Sequence, residues 1–303
     1  MRHGKYRFVA SFLAVPLVLY VFYVLWPYAQ AFNIALTNWN GFAPPVYVGF
    51  ANFQRMFHDQ LFIKAVEHNL FLLLALPLIT VTIALFLSFM LNVGGRSRGG
   101  VRTGVWGSKF YRLVFFFPQV LAVAIIGVLF QQILRPDTSG AFNGPLHALL
   151  GIGPVGFLTN PTVAMWTVLG VLVWQAVGFY VVLFSAGMVS IPQDIYEAAE
   201  LDGASRVSMF FRVTLPLLFD TIQVAWVYLG IAAFDAFALV QVLTVEQGGP
   251  DGATTVLANE IYRSNFVYSR AGYASAMGVA LFFLTLAFAA LTIRITRRER
   301  IEF

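Results

Sequence analysis

Six long runs of apolar residues, separated by shorter polar segments, dominate the hydropathy pattern of this chain. A helix needs roughly 20 mostly apolar residues to cross the hydrocarbon core of a bilayer, and each run reaches that length. The pattern therefore predicts an all-α integral membrane protein with six transmembrane helices, in which residues 1–303 form a single domain. The predicted spans cover about residues 8–31, 69–91, 113–134, 162–189, 217–243 and 273–293.

The first run resembles a secretory signal in one respect, because Arg2, Lys5 and Arg7 precede it. A signal peptide has an apolar core of about 7–15 residues, whereas this run continues to Ala31. The pattern therefore predicts a retained membrane helix.

The composition agrees with a membrane location and excludes several kinds of functional site. Hydrophobic residues make up 59% of the chain and charged residues 11%, whereas charged residues are about 25% of a typical soluble domain. Cysteine is absent, which excludes disulfides, thiolate metal sites and cysteine catalysis. No metal-binding spacing relates the four histidines, so we expect neither a metal site nor an enzymatic activity. These histidines are His3, His58, His68 and His147.

The chain also lacks the Gly-x-x-x-x-Gly-Lys-Ser/Thr loop that cradles nucleotide phosphates. The segment from Gly104 to Lys109 comes closest, but its spacing is wrong. We therefore expect this chain to bind no cofactor, and any ATP that drives its activity to be bound by a separate chain.

Basic residues are distributed unevenly between the two sides that the six spans define. Fourteen of the nineteen Lys and Arg residues fall on one side, which the positive-inside rule makes cytoplasmic. Both termini, the 92–112 loop and the 190–216 loop are therefore predicted to be cytoplasmic. The net charge of +5 then reflects topology and contact with anionic lipid headgroups, and it argues against a nucleic-acid partner. The outer basic residues are Arg55, Lys64, Arg135, Arg263 and Arg270.

The fourth inter-span loop carries the signals of two short helices joined by a tight turn. Pro192 suits the first turn of a helix, and Gly203 suits the left-handed position that ends one. Ser205 can cap a second helix, and Pro216 marks the start of the fifth span. The 192–214 segment is therefore predicted to form a helix-turn-helix elbow with small residues on its exposed face, a surface suited to docking another protein.

The spacing within this elbow resembles the EAA loop of permease subunits in binding-protein-dependent ABC importers. Glu197-Ala198-Ala199 is followed after three residues by Gly203, and after nine more by Val213 and then Leu215-Pro216. Val213 replaces the isoleucine usual in the family and keeps an apolar β-branched side chain. The resemblance implies that the loop is a coupling helix in a cleft of the ATPase subunit. The residues assigned to this role are Glu197, Ala198, Ala199, Asp202, Gly203, Leu215 and Pro216.

A softer resemblance along most of the chain is to the carbohydrate-uptake class, in the maltose and glycerol-phosphate permease group. It rests on Pro27, the Ala35–Trp39 and Val48–Phe53 stretches, Phe62, Asn69, the Gly140–Asn143 turn, Leu243-Thr244, Gly248-Gly249-Pro250, Tyr262, Phe266 and Gly272–Ala276. Unlike the maltose subunit, this chain lacks extra N-terminal spans and a large outer domain.

The resemblance implies a type I ABC importer permease (MetI-like) architecture in a prokaryotic cytoplasmic (inner) membrane. It also implies a second, non-identical permease that completes a heterodimer, two ATPase subunits that bind ATP and Mg²⁺, and an extracytoplasmic solute-binding protein. The implied substrate is a mono- or oligosaccharide. Two alternatives stay open: an ABC permease for a non-sugar solute, such as a polyamine or oligopeptide, and an ion-coupled secondary transporter.

Polar residues within the predicted spans are candidates for the substrate pathway. Asp220 and Asp235 are the ionisable residues of the spans, and charge inside a membrane usually faces a cavity or a partner. Asp235, with Gln241 nearby, either contacts sugar hydroxyls or makes a structural hydrogen bond to a neighbouring helix. On the fourth span, a polar and aromatic set either lines the pathway or packs between helices. That set is Trp174, Gln175 and Tyr180.

Overall fold

The computed structural model describes residues 2–93, 97–98, 101–102, 105–244, 246 and 248–295, and nearly all of its regular structure is helical. Four of the basic residues on which the predicted membrane orientation rests lie outside this range; they are Arg96, Arg297, Arg298 and Arg300. The helices are α1 (Arg2–Tyr20), α2 (Trp26–Ala35), α3 (Ala51–Met56), α4 (Gln60–Val93), α5 (Ser108–Val120), α6 (Val123–Ile133), α7 (Asn143–Leu150), α8 (Pro161–Ser190), α9 (Gln193–Leu201), α10 (Arg206–Met209), α11 (Leu215–Leu217), α12 (Phe219–Phe234), α13 (Phe237–Leu243), α14 (Leu257–Tyr262) and α15 (Ala271–Ile295). Two short antiparallel strands, β1 (Ser97–Arg98) and β2 (Val101–Arg102), follow α4.

Four helical segments in the described residues are long and apolar enough to cross a membrane. They are Ser11–Ala35, Gln60–Asn92, Pro161–Ser190 and Ala271–Arg294. The first of them joins α1 to α2 through a π-helical turn, Val21–Leu25. Two bent helix pairs, α5 with α6 and the Arg206–Leu217 segment with α12, raise the number of spans to six if each pair crosses once.

The second predicted span begins earlier than its apolar run. We expected a start near residue 69, whereas α4 begins at Gln60. The Asp59 carboxylate accepts hydrogen bonds from the backbone N–H groups of Leu61 at 3.0 Å and Phe62 at 3.3 Å. Such a cap satisfies helix donors that have no partner within the helix, so the helix extends beyond the membrane-length run.

The third predicted span is not one straight helix. It bends by 99° between α5 and α6, where Leu121 and Ala122 have extended backbone. Pro118 lies in the last turn of α5 and has no backbone N–H to donate. The hydropathy of residues 113–134 therefore predicted the apolar content correctly, but the prediction of a single helix was wrong.

The fifth predicted span, about residues 217–243, is also broken. The chain bends by 71° where the Arg206–Leu217 segment meets α12, and α12 ends at Phe234 with Asp235 as its C-cap. A new helix, α13, begins at Phe237. Aspartate competes for backbone hydrogen bonds and is unfavourable inside helices, which agrees with its place at this break.

The chain forms two compact units. The first runs up to Ile63 and includes Glu260–Leu284; the second includes Lys64–Asn259 and the residues from Thr285 onward. Ala35, Met56 and Met277 are among the residues that form the apolar core of the first unit.

Two sequence-motif residues hold the backbone of the first unit in place. The buried amide of Asn52 donates to the carbonyl oxygens of Ala35 at 2.8 Å and Thr37 at 2.7 Å, which stabilises the C-terminal end of α2. Gly272 donates its backbone N–H to Trp39 at 2.8 Å, and a Cβ at this position would overlap the Thr37 carbonyl. The asparagine supplies donors, and the glycine permits close backbone approach.

Glu260 is the buried carboxyl group of the first unit, with 3% of its surface exposed. Its nearest cation is the Arg263 guanidinium, at 4.0 Å. Burial raises the pKa of Glu260 above its usual value, against a smaller lowering by Arg263. The folded protein therefore holds a proton on this group at a higher pH than the unfolded chain does.

We expect the substitution Glu260→Gln to change how stability depends on pH. A raised carboxyl pKa contributes stability that is full below the unfolded-state pKa, about 4.3, and is lost as pH rises through the folded-state pKa. The Tm of Glu260→Gln minus that of wild type should therefore increase as pH rises from about 4 to neutrality and then level off. Thermal unfolding in detergent over this range is the measurement, and a pH-independent difference would contradict the assignment.

Close helix contacts organise the second unit. At Gly178 of α8 the backbone meets α5 so closely that a Cβ would overlap the carbonyl oxygen of Phe115. Gln131 of α6 donates to the Val242 carbonyl of α13 at 2.6 Å. Small residues and side-chain amides of this kind join helices in membranes.

Substituting alanine at two glycines of α8 should give opposite results. Gly178→Ala adds a methyl group against the Phe115 backbone, and overpacking costs about 1–3 kcal/mol. Gly170→Ala adds the same methyl group where no atom lies within 4 Å, so the helix propensity of alanine should leave stability unchanged or raise it by up to about 1 kcal/mol. Thermal unfolding of the two variants in the same detergent makes the comparison; equal Tm values would contradict it.

Candidate functional site

The predicted helix-turn-helix elbow is present. Its first helix is α9, which Pro192 precedes, and Gly203 follows it with a left-handed φ of +75°. The turn is closed by backbone hydrogen bonds from Gly203 to Glu200 at 3.0 Å and from Ala204 to Ala199 at 2.9 Å. This is the left-handed C-terminal arrangement that glycine favours.

The second helix of the elbow begins where the sequence predicts. The Ser205 hydroxyl accepts a hydrogen bond from the backbone N–H of Ser208 at 3.2 Å and caps α10. A π-helical segment, Phe210–Thr214, then leads to α11. The predicted form of residues 192–214 is therefore confirmed.

Buried side chains attach the elbow to the second unit. Tyr196 of α9 is 7% exposed, and its hydroxyl lies 3.3 Å from that of buried Thr214. The Phe210 ring packs edge-on against Phe89 of α4, with centroids 4.9 Å apart. These contacts join the elbow to α4 and to the segment that precedes α12.

The opposite face of the elbow is exposed. Glu197, Ala198, Asp202 and Gly203 are all accessible, and Leu201 is 90% exposed. A Cβ built at Gly203 would meet no atom within 4 Å. The exposed face therefore combines one apolar side chain with small and acidic residues.

The remaining residues assigned to the coupling loop lie at its C-terminal end. Leu215 and Pro216 form most of α11. Leu215 borders an apolar groove of about 580 Å³, together with Phe86, Phe89 and Phe210. Leu215 and Pro216 therefore shape the junction between the elbow and α12.

Asp235 and Gln241 lie on opposite sides of the break in the fifth span. Asp235 is exposed at the end of α12, whereas Gln241 lies within α13. The Gln241 side-chain oxygen accepts a hydrogen bond from the Asn259 amide at 2.8 Å. Asp235 therefore presents an accessible carboxyl group beside irregular backbone, while Gln241 is engaged by a buried asparagine.

The polar and aromatic set of the fourth span divides into different environments along α8. Trp174 packs edge-on against Phe130 at 5.0 Å and borders an aromatic groove of about 610 Å³ that also includes Trp166 and Gly170. Gln175 is half-buried. Tyr180 is buried, and its ring contacts Phe179 at 5.2 Å. Of this set, Trp174 is the residue that borders the aromatic groove.

A buried polar clamp near the break was not assigned a role from the sequence. Asn69 of α4, 1% exposed, donates to the Ala233 carbonyl at 2.9 Å and accepts from the Leu257 N–H at 2.8 Å. The neighbouring His68 hydrogen-bonds the Thr255 carbonyl through Nδ1 at 2.8 Å. These contacts connect α4 to the end of α12 and to the segment that follows the Gly-Gly-Pro turn.

The glycines of that turn are required by close packing. Gly249 has a φ of +75°, and a Cβ there would press on Thr254; a Cβ at Gly248 would press on Thr255. Lys64 donates to the Asp251 carbonyl at 2.7 Å from the first turns of α4. The turn is therefore an ordered part of the second unit.

Comparisons with known proteins agree with this architecture. Residues 71–301 match the family described as "Binding-protein-dependent transport system inner membrane component". The chain is similar to the diacetylchitobiose uptake system permease protein NgcF of Streptomyces coelicolor, with 42% identity over 299 residues that cover 97% of this chain and 83% of the relative. The multiple sugar-binding transport system permease protein MsmF of Streptococcus mutans is 30% identical over 292 residues, which cover 95% of this chain and 94% of the relative.

A solved structure has the same fold. A bacterial ABC transporter involved in the import of the acidic polysaccharide alginate superposes with a TM-score of 0.82 at 23% sequence identity, covering 99% of this chain and 100% of the compared chain. This match confirms the predicted all-α fold, and the family match over residues 71–301 supports the predicted multi-pass permease architecture. Because the family match extends over residues 71–301, well over half of the chain, this protein belongs to the binding-protein-dependent transport system inner membrane component family.

Proposed function

We propose that this chain is a permease subunit of an ATP-driven importer that carries a mono- or oligosaccharide across the cytoplasmic (inner) membrane of a prokaryotic cell. The observation that carries the sugar assignment is the 42% identity, over 97% of the chain, to a permease of diacetylchitobiose uptake. The multiple-sugar relative supports the same solute class. The chain would act as one transmembrane domain with both termini in the cytoplasm.

The proposed assembly contains partners that supply energy and deliver solute. A second, homologous permease would complete a heterodimeric pathway, and two ATPase subunits would bind ATP and Mg²⁺, since this chain carries no phosphate loop. An extracytoplasmic binding protein would deliver the sugar. In its support, an alginate transporter of the same fold has been solved with a periplasmic protein bound to an alginate pentasaccharide.

The elbow is the proposed contact with the ATPase. Its exposed face, from Glu197 to Gly203, would dock in a cleft of that subunit. The Tyr196–Thr214 and Phe210–Phe89 contacts would then transmit ATPase closure into α4 and α12. Packed elements of this kind move as rigid bodies, so the permease halves would rock and change the side to which the pathway opens.

Asp235 is the proposed polar contact of the pathway. Irregular backbone at membrane depth is tolerated where it is buried in protein or lines a water-filled cavity, and Asp235 is exposed beside such a break. Its carboxylate would accept hydrogen bonds from sugar hydroxyls. Gln241 would hold α13 in place through Asn259, and Trp174 would offer an aromatic face; Gln175 and Tyr180 would support the α8 surface around it.

Affinity purification from the native host, combined with sugar uptake, tests this proposal. A tagged copy of this chain, extracted in mild detergent, should recover a second permease and an ATPase. Cells that lack the chain should lose uptake of a labelled sugar from a panel that includes diacetylchitobiose. Recovery of the ATPase without loss of any sugar would indicate a non-sugar solute. Recovery of this chain alone under every gentle condition would favour a secondary transporter.

A further inference from the structure

The first unit contains a polar cleft of about 430 Å³ that the proposed function does not use. The cleft is built from the end of α3 and the start of α4, and from α14 and the segment that joins α14 to α15. We name it the Glu260 cleft. Its lining includes Arg55, Gln60, Glu260, Ser264, Tyr268 and Arg270. Three of the five predicted outer basic residues, Arg55, Arg263 and Arg270, lie in or beside it.

Several neighbouring groups build the walls of the cleft. Asp59 caps α4 with one oxygen, and its other oxygen accepts from the Tyr273 hydroxyl at 2.7 Å. The Arg55 guanidinium lies 4.6 Å from the centroid of the Tyr273 ring, and Arg263 donates to the Tyr268 hydroxyl at 2.9 Å. These contacts fix the shape of the cleft in the absence of a ligand.

Glu260 differs from these wall residues because one of its carboxyl oxygens has no hydrogen-bond partner among the described residues. One carboxyl oxygen accepts from the Ser264 hydroxyl at 3.4 Å. The other is buried and has no hydrogen-bond partner among the described residues. A buried polar atom left unpaired costs about 1–3 kcal/mol. A ligand that donates a hydrogen bond to it would recover part of that cost.

The mixture of groups that line the cleft indicates the class of ligand. Guanidinium groups and the Gln60 amide donate, carboxyl and amide oxygens accept, and Tyr268 offers a ring that is 42% exposed. A simple anion would use only the hydrogen-bond donors of the cleft, and a simple cation would use only the acceptors. A saccharide hydroxyl both donates and accepts, so it can use both kinds of group. The volume lies within the roughly 300–1,000 Å³ of small-molecule pockets.

We propose that the Glu260 cleft, whose lining does not include Asp235, is an extracytoplasmic saccharide-binding site of the permease itself. Glu260 would accept from a sugar hydroxyl, Arg270 and Gln60 would donate to sugar oxygens, and Tyr268 would pack against the ring. The site would hold sugar on the outer side of the membrane. This proposal rests on the proposed sugar importer and on its predicted orientation.

Cysteine protection tests the cleft, since the natural chain has no cysteine. Leu61→Cys places a thiol on the exposed lining of the cleft without removing a proposed sugar contact, and Thr138→Cys places one on the 135–161 loop, which contributes no residue to the cleft. Right-side-out vesicles would carry the importer without its binding protein. They would be treated with a membrane-impermeant maleimide, with and without diacetylchitobiose or an alginate oligosaccharide. Uptake in intact cells of the same strains would report the importer function independently.

Either sugar should slow labelling of Leu61→Cys about fourfold when three quarters of the sites are occupied, and labelling of Thr138→Cys should not change. Adding Tyr268→Ala should remove the protection, whereas Phe42→Ala, at an exposed aromatic residue elsewhere in the unit, should preserve it. If the thiol were protected only when the binding protein is added, and not by sugar, the cleft would be a contact for that protein and the proposal would be overturned. Normal uptake without protection by any transported sugar would overturn it while leaving the importer intact; absence of all sugar uptake would instead reject the proposed function.

Discussion

Gly203→Asp is expected to reduce sugar uptake at least tenfold while the protein remains folded in the membrane. Gly203 has a φ of +75°, and a Cβ there meets no atom within 4 Å of its own chain. The added side chain therefore costs only the strain of a left-handed residue, about 1–2 kcal/mol, and aspartate is among the residues that tolerate this conformation best. The main effect should fall on the partner, because a carboxylate would project from the turn of the proposed docking face. A tenfold loss corresponds to about 1.4 kcal/mol of docking free energy.

Gly151 provides the matched control for this substitution. It also has a left-handed φ, +63°, and open space around its Cβ position, but it follows α7 and lies outside the elbow. Gly151→Asp should cost similar strain and leave uptake near normal. Uptake, membrane abundance and co-purified ATPase should be measured for both variants. Normal uptake by Gly203→Asp would refute the coupling role, and equal losses in the two variants would assign the effect to backbone strain.

The elbow could be predicted from the sequence because its signals are local. Pro192, Gly203 and Ser205 each act on the backbone within a few residues, through a helix start, a left-handed turn and a cap. The structure places all three in those roles. Local rules were sufficient here because each of these signals acts within its own turn of the chain.

The breaks in the spans could not be predicted from hydropathy. The hydropathy averaged over a window shows that residues 113–134 and 217–243 are apolar. A bent helix pair has the same average hydropathy as a straight helix, so the average does not reveal a break. Pro118 and Asp235 are residues that weaken helices, and they lie at or near two of the breaks. Such residues are tolerated inside many helices, so each indicates a possible break without fixing it.

The contacts of the candidate pathway residues could not be predicted from the sequence for a different reason. Gln241 is engaged by Asn259, eighteen residues away, and Asn69 bonds partners 164 and 188 residues away. A single sequence contains no signal for such pairings. Gly170 and Gly178 illustrate the same limit, because only Gly178 makes the close helix contact that both residues would permit.

Asn69→Ala is expected to be among the most destabilising single substitutions in the second unit. The Asn69 side-chain NH2 group donates to the Ala233 carbonyl oxygen in the last turn of α12, where carbonyl groups have no partner within the helix. The Asn69 side-chain oxygen accepts from the backbone N–H of Leu257. Truncation leaves both backbone groups buried and unpaired, at about 1–3 kcal/mol each. The loss should be about 2–6 kcal/mol and should appear as a lower Tm in detergent.

The same substitution should also reduce sugar uptake beyond what lost stability explains, because Asn69 fixes the end of α12 two residues before Asp235. Asn143→Ala is the matched control. Asn143 is equally buried and bonds the backbone of Arg135 at 2.7 Å and Val155 at 2.9 and 3.0 Å, away from the break. Uptake should be compared at a temperature where both variants remain folded. If Asn69→Ala then transports as well as Asn143→Ala, the clamp stabilises the protein without positioning Asp235, and the pathway must be sought elsewhere.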